Sequence, residues 1–451
     1  MATPQVNASL PQADFGRKTL RKISVRLIPL LGICYGVNYM DRVNVGFAAL
    51  QMNKDLHFTA SVYGFGAGVF FLSYAACEVP SNLLLTRFGA RKWIARIMVT
   101  WGLVAAAMVF VRKPWEFYTL RFLLGMAEAG FAPGVVYYLT LWFPQSQQAR
   151  AFSRYYVAFP ISSVVTGLVS GPLLNLQGRL GLAGWQWLFL VEALPAIALG
   201  IVVFVLLPDG PAAAHWLSLE ERAWVITRLQ EESKAKARVS HDTMRDTLRD
   251  TRVWMVGFFL IPTFAAAYSY SFTAPLMIKD MTGYSNTRVG LIIACISLCV
   301  AFAIWLSGRL ASSSRSPFAY IGFATVLIIL GCIGVGLFRA APLVVCCMIF
   351  ISACHNANMS PLWALTGSFL KKRGAAGGLA LVNCVGITGG FFGPYYMGLA
   401  KDFTGSYQPG FLGLALACCF SLFLLTRLAR KVKTTSSWLP LPNADYNQSA
   451  H

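Results

Sequence analysis

The sequence predicts an all-α membrane protein of twelve transmembrane helices in two six-helix bundles. Three observations carry this. Of 451 residues, 56% are hydrophobic and only 12% are charged, whereas soluble domains carry about 25% charged residues. Uncharged apolar runs of about twenty residues, the length that spans a bilayer, recur along the whole chain. The longest hydrophilic interruption, 208–252, falls near the middle. The runs are continuous and do not alternate, which excludes barrel strands.

Taken in order, residues 1–26 are polar and basic and read as a cytoplasmic tail. They lack a cleavable signal pattern, because the first apolar run is long enough to span. The first bundle, 27–207, holds spans at 27–50, 60–85, 93–111, 117–141, 152–175 and 186–207. The cytoplasmic central loop, 208–252, contains WLSLEERAWVITRLQEE. This reads as an amphipathic helix opened by a capping box, Ser218 with Glu221, and is expected to tether the halves. The second bundle, 253–426, holds spans at 253–278, 289–308, 317–338, 342–370, 375–400 and 407–426. The cytoplasmic tail, 427–451, loses periodicity from about 434 and is expected to be disordered.

A net charge of +20 raises nucleic acid as a partner, and the distribution argues against it. With both termini inside, and with Arg96 and Arg154 at the cytoplasmic ends of spans three and five counted as inner, the inner segments hold 28 Lys and Arg, the outer segments 8, and the spans 2. That is a positive-inside signature, which fixes orientation and accounts for the basicity. All 11 cysteines fall within predicted spans and none forms a C-x2-C pair, so neither zinc nor a disulfide framework is indicated. No metal and no cofactor is expected.

An internal repeat supports the two halves. Span five carries GLVSGP (Gly167 to Pro172) and span eleven GGFFGP (Gly389 to Pro394). Both read G-x-x-x-G-P at equivalent places, with spacing that lets helices approach closely. Two six-helix halves joined by a cytoplasmic loop resemble the major facilitator superfamily, whose members place substrate near the midplane between the halves.

Ionisable groups in mid-span are costly and mark pairs or function. Spans seven to twelve contain no Asp, Glu, Lys or Arg, whereas the first six contain, besides Arg96 and Arg154 at their cytoplasmic ends, Asp41, Arg42, Glu78, Arg121, Glu128 and Glu192. Arg121 and Glu128 are seven residues apart, on one face of span four, at depths of about 6 and 17 Å. Asp41 and Arg42 on span one lie about 12–14 Å deep. The economical arrangement pairs Asp41 with Arg121 and Arg42 with Glu128. An anion competing for Arg42 then makes Glu128 easier to protonate, which couples anion to proton reciprocally. A static pair that orders helix packing is the alternative.

NYMDRVNVG, EVPSNLLLTRFGARKW, RFLLGMAEAGFAPG, GWQWLFLVEALPA and LPDGPAAAHWLSLEER together resemble the anion:cation symporter family of the major facilitators. That family includes bacterial tartrate, phthalate, hydroxyphenylacetate and sugar-acid permeases. The likeness runs from residue 20 to about 405. It implies that Asp41 and Glu128 carry protons and that Arg42 binds the substrate carboxylate, with Arg121 in the same set. It also implies contacts from Tyr39 and Tyr74.

The sequence departs from the superfamily's G-x3-D-R-x-G-R-R loop. It reads Asn82-LLL-Thr86-Arg87-Phe88-Gly89-Ala90-Arg91, with Thr86 at the acid, and the second-half copy SGRLASSSRS is eroded further. Glu78 is expected to pair with Arg87 or Arg91 at a cytoplasmic gate. Ile387 in NCVGITGG stands where relatives often have Asn, and span five offers Tyr156, Phe159 and Pro160. Both lean towards an aromatic or less hydroxylated carboxylate. Glu192 is expected to satisfy helix-end donors. His355 is expected to be a packed neutral histidine, with a third titrating site as the alternative. Asn356, Ser360, Trp363 and Asn383 are the candidate second-half substrate contacts.

The expected function is a proton-coupled importer of a small organic anion across a bacterial inner membrane, monomeric, with lipid, protons and the anion as its partners. An exchanger or proton-driven exporter would use the same residues. A nutrient sensor would add a signalling domain, for which 208–252 is too short. An enzyme would need a nucleophile with its base or a metal, and neither pattern is present.

Overall fold

The computed structural model describes residues 10–237, 249–313, 316–369 and 375–435. The expected N-terminal tail before residue 10, the end of the central loop, the basic run 371–373 and the C-terminal tail after 435 lie outside the described residues, as do residues 314–315 of SGRLASSSRS. Among the described residues, eleven helical stretches are long and apolar enough to cross a membrane. The remaining expected span, the eleventh, is two shorter helices, Ala375–Ile387 and Gly389–Thr404, parted at Thr388.

Breaks recur in the helices of the first half. Span one is Leu10–Val43 followed by Val45–Asp55, parted at Asn44. Span four is Pro114–Glu128 and Phe131–Thr140. Its break has a local cause: Gly130 takes a positive φ of 86°, open to glycine at little cost, and Ser81 of span two lies where a Cβ would stand. Span five is Gln145–Tyr156 and Ala158–Leu174. Each break falls inside a stretch that hydropathy reads as one span. Discontinuous helices are where transporters gather polar groups at mid-depth.

The halves meet mainly at the end opposite the termini. The Tyr63 hydroxyl donates to the Phe272 carbonyl at 2.9 Å. Asp402, at the far end of span eleven, accepts from the backbone N–H groups of Ala60 and Ser61 at 3.0 and 2.9 Å. A carboxylate there satisfies the orphan donors of span two's first turn and complements its dipole. Span five packs on span eight (Asn286–Ser313) through the GLVSGP glycines. A Cβ at Gly167 or Gly171 would sit 2.7 Å from the carbonyl oxygens of Gly290 and Asn286. The GGFFGP repeat divides its work: Gly390 meets the Phe71 ring across the interface, and Gly393 packs on span seven (Thr251–Thr282) of its own half.

The central-loop helix, Leu219–Ala237, has its capping box: Ser218 N–H donates to Glu221 at 2.8 Å, and Glu221 N–H to the Ser218 hydroxyl at 3.1 Å. The helix docks on the first half. Glu221 pairs with Lys22 at 2.7 Å, Glu232 accepts from Gln145 N–H at 2.9 Å, and Trp224 covers Gly16. Partial burial pushes the Glu221 carboxyl up, but the Lys22 ammonium and the Ser218 donors outweigh it and hold it below its usual range.

Candidate functional site

The site is built on span one. Its helix carries Tyr39, Asp41 and Arg42 in its last turns, just before the break at Asn44. Arg42 reaches span four, where its Nε donates to Glu128 Oε1 at 3.0 Å and a terminal guanidinium nitrogen meets the same oxygen. The expected pair of Arg42 with Glu128 is therefore present. Glu128 is the last residue of its helix, at the negative end of the dipole, which the guanidinium offsets. The partners differ in access: the Arg42 side chain is 12% exposed and that of Glu128 0%. The Arg42 guanidinium lies over the Tyr74 ring at 4.9 Å and the Phe70 ring at 5.4 Å.

Asp41 does not meet Arg121. Its Oδ2 accepts from Trp101 Nε1 at 2.7 Å, and its Oδ1 has no hydrogen-bond partner among the described residues. Arg121 turns away, donating to the Gly66 and Ala67 carbonyls at 3.3 and 3.1 Å and lying over Phe70 at 5.0 Å. The reason lies in the wall of span two: YGFGAG leaves its carbonyls open to a guanidinium, while the Trp101 indole fills the space beside Asp41. Arg121 is wholly buried and clamps span four to span two.

Glu192 also departs from expectation. It sits well inside the helix Gly184–Leu206, 2% exposed, and accepts from the Ser170 hydroxyl at 3.0 Å instead of from a helix end. Its second oxygen has no hydrogen-bond partner among the described residues. Asp41 lies near enough to Glu192 and Glu128 to feel their charge.

Glu78 pairs with neither Arg87 nor Arg91. Both its oxygens accept from Asn383 Nδ2 of span eleven at 3.1 Å, and Cys384 Sγ lies 3.6 Å away. This is a link between the halves, and it engages Asn383, expected to contact substrate. Arg87 lies over the Phe88 ring. Arg91 is held by Asp209 of the LPDGP segment, through its Nε at 3.6 Å and its backbone N–H at 3.2 Å. Asp209 thus supplies an acid that Thr86 cannot, from the start of the central loop.

The second-half wall facing Arg42 is span seven. The Tyr268 hydroxyl faces the guanidinium. Its ring lies 4.2 Å from Phe71 and 5.9 Å from Phe264, whose far side meets His355 at 4.9 Å. His355 is buried with Nδ1 unpartnered among the described residues. Asn356 donates to the Ser352 carbonyl of its own helix, Ser360 is exposed, and Trp363 packs against the apolar cluster around Val256 and Leu362. Tyr39 meets the Phe159 ring at 4.5 Å. Beside them lies a cavity of about 50 Å³ that also borders Ser163, Ser271, Ser297 and Ser352. It has room for a few waters and not for a whole substrate.

Comparison with known proteins decides the family. The profile of the Major Facilitator Superfamily matches residues 31–394. This chain belongs to the major facilitator superfamily.

A protein of Agrobacterium vitis named "Putative tartrate transporter" is 40% identical, over 92% of this chain and 96% of its own. The "Quinolone resistance transporter" of Acinetobacter baumannii is 35% identical, over 91% and 95%. Among solved structures, a bacterial homolog of the human lysosomal transporter Spinster superposes with a TM-score of 0.74 at 15% identity, over 92% of this chain and 98% of its own. That likeness speaks for the fold alone. The chain is a multi-pass membrane transporter of a small molecule and not an enzyme.

In this major facilitator the residues that sequence reasoning missed are Trp101, Tyr268, Asp209 and Asp402. Span seven reads AAAYSYSF, and two tyrosines and two serines in an apolar span were a usable signal. Nothing in the sequence marks an indole as the partner of Asp41.

Proposed function

We propose that this transporter imports a small organic anion together with protons, by alternating access, across the inner membrane of a bacterium, with its termini in the cytoplasm. The observation that supports it most is the Arg42–Glu128 pair, in which the cation is the partner with access and the acid is sealed. A substrate carboxylate can take the guanidinium in bidentate fashion. Glu128 then loses its cation in a dry wall, and a proton removes the cost of that bare charge. Anion and proton binding reinforce each other by the same factor in both directions. Asp41, bonded among the described residues only to an indole N–H, is the second proton carrier. Arg121 holds the field that both acids share.

Tyr39, Tyr74 and Tyr268 surround the guanidinium and shape the anion. The serine hydroxyls near Tyr39 supply hydrogen bonds that Ile387 does not. They favour a hydroxy acid over the less hydroxylated carboxylate suggested by sequence. Asn356, Ser360 and Trp363 complete the second-half wall once the halves part, and the Glu78–Asn383 bond breaks as they do.

The likeness to a relative named for quinolone resistance favours a second reading, proton-driven export through the same residues. Proteoliposomes with a pH dye inside decide between them when aromatic, hydroxy- and sugar-acid anions are added outside. Internal acidification specific to one anion supports symport. Uptake of a labelled anion with no pH change supports exchange. Silence with outside anions, and acid-driven extrusion of preloaded ones, supports export and overturns import.

A further inference from the structure

We infer that the termini end of the first half carries a binding site for a phosphate-bearing anion, formed by Arg17, Arg21, Arg150, Arg154 and Arg228. These five arginines come from three separate elements: the start of span one, the helix Gln145–Tyr156 and the central-loop helix Leu219–Ala237. They converge on one cleft of about 1050 Å³. It is remote from Arg42 and plays no part in the function proposed above.

The charge in the cleft is not neutralised from within. Arg228 has Glu231 and Glu232 at 3.7 and 3.9 Å. The other four have no carboxylate partner among the described residues. Arg154 donates to the Ser24 hydroxyl at 2.8 Å and Arg150 to the Gln147 amide oxygen at 3.4 Å, bonds that orient the guanidinium and leave its charge. The contrast on span one is direct. Lys18 and Lys22 pair with Asp14 and Glu221 at 2.8 and 2.7 Å, while Arg17 and Arg21, one residue earlier in each case, line the cleft bare.

Orientation in the membrane needs positive charge only near the span ends, Lys or Arg alike, in any direction. It does not call for five guanidinium groups on one concavity. Arg17 with Arg21, and Arg150 with Arg154, are like-charge i,i+4 pairs, each destabilising to its own helix. An anion between the two helices relieves both. Guanidinium forks match carboxylate and phosphate oxygens two at a time, and several forks converging from three elements suit the three or four oxygens of one phosphate or phosphodiester.

The same cleft carries apolar surface: Leu20, Trp224 and Val25, the last 67% exposed. A headgroup phosphate with its glycerol and first methylenes fits such a mixed wall. Anionic lipid is attracted to basic clusters at this surface by about 1 kcal/mol per residue. A soluble phosphorylated compound offers the same phosphate, and the experiment separates the two.

The test is native mass spectrometry of the full chain from mixed micelles of phosphatidylglycerol and phosphatidylcholine, with and without added pyrophosphate. Wild type should retain phosphatidylglycerol in preference to phosphatidylcholine. Arg21→Gln/Arg150→Gln should cut that retention about thirtyfold, while Lys92→Gln/Arg427→Gln, an equal loss of charge elsewhere, should leave it. Retained pyrophosphate with no preference between lipids, lost in the first variant alone, supports the site with a soluble ligand. Retention of neither, or equal loss in both variants, overturns it. Both variants are checked for monodispersity by size exclusion, and charge reversal at Arg21 alone serves if the double variant does not fold.

Discussion

Asp41 and Glu128 are buried carboxyls in one small region, and their surroundings differ. Glu128 holds an arginine that has some access to the outside of its wall. Asp41 holds an indole N–H and, among the described residues, no cation. Under the proposed function, one acid depends on a partner that a substrate can take away, and the other on a partner that stays. The comparison suggests how one site can couple an anion to a proton: only the acid whose cation is on loan responds to substrate.

The sharpest way to break this comparison is to remove the cation. Arg42→Ala is expected to abolish anion binding, a loss of more than about a hundredfold by calorimetry. It also leaves Glu128 buried without its partner, at a cost of about 3–5 kcal/mol. Arg42→Ala/Glu128→Gln should recover thermal stability and still fail to bind, which separates the two effects. Binding by the double variant would show that the anion sits elsewhere.

Next in size, Glu128→Gln should bind and exchange anion but lose uphill uptake. Counterflow of labelled substrate should persist while accumulation against a gradient falls to background. Normal accumulation would move the proton to Asp41 alone. Gly167→Leu acts at the far end, where any Cβ meets the Gly290 carbonyl. It should keep the halves from closing there, with binding retained and transport lost.

The smaller effects sharpen the picture. Tyr268→Phe removes one hydroxyl facing Arg42, a net hydrogen bond of about 0.5–1.5 kcal/mol, and should raise KM several-fold at unchanged kcat. Glu221→Ala tests the docked loop helix. Its ion pair is partly exposed, so the change should stay within about 1 kcal/mol. The folded carboxyl lies below its ordinary value of 4.5. Its contribution is therefore present above that pH and lost as pH falls through the folded value, and the melting temperatures of wild type and variant should converge in acid.

Much of this was legible in the sequence. Hydropathy located the spans, and depth along two helices was enough to bring Arg42 to Glu128. The same reasoning failed for Asp41. Depth alone gave Arg121 as its partner, while Trp101 counted as one more apolar residue. The Glu78–Asn383 bond was hidden for another reason: it joins residues 305 apart, and only the packing of spans two and eleven brings them together. The breaks at Asn44, Gly130, Val157 and Thr388 all fall inside spans that hydropathy reads as single helices. Gly130 alone has a local steric reason.

The central claim is that taking Arg42 from Glu128 loads a proton. It is tested most directly by adding anion to purified protein in weakly buffered solution containing a pH dye, near neutral pH. The account predicts alkalinisation that saturates with binding in wild type and is absent in Glu128→Gln, although that variant still binds. Anion binding to wild type with no proton taken up would contradict it.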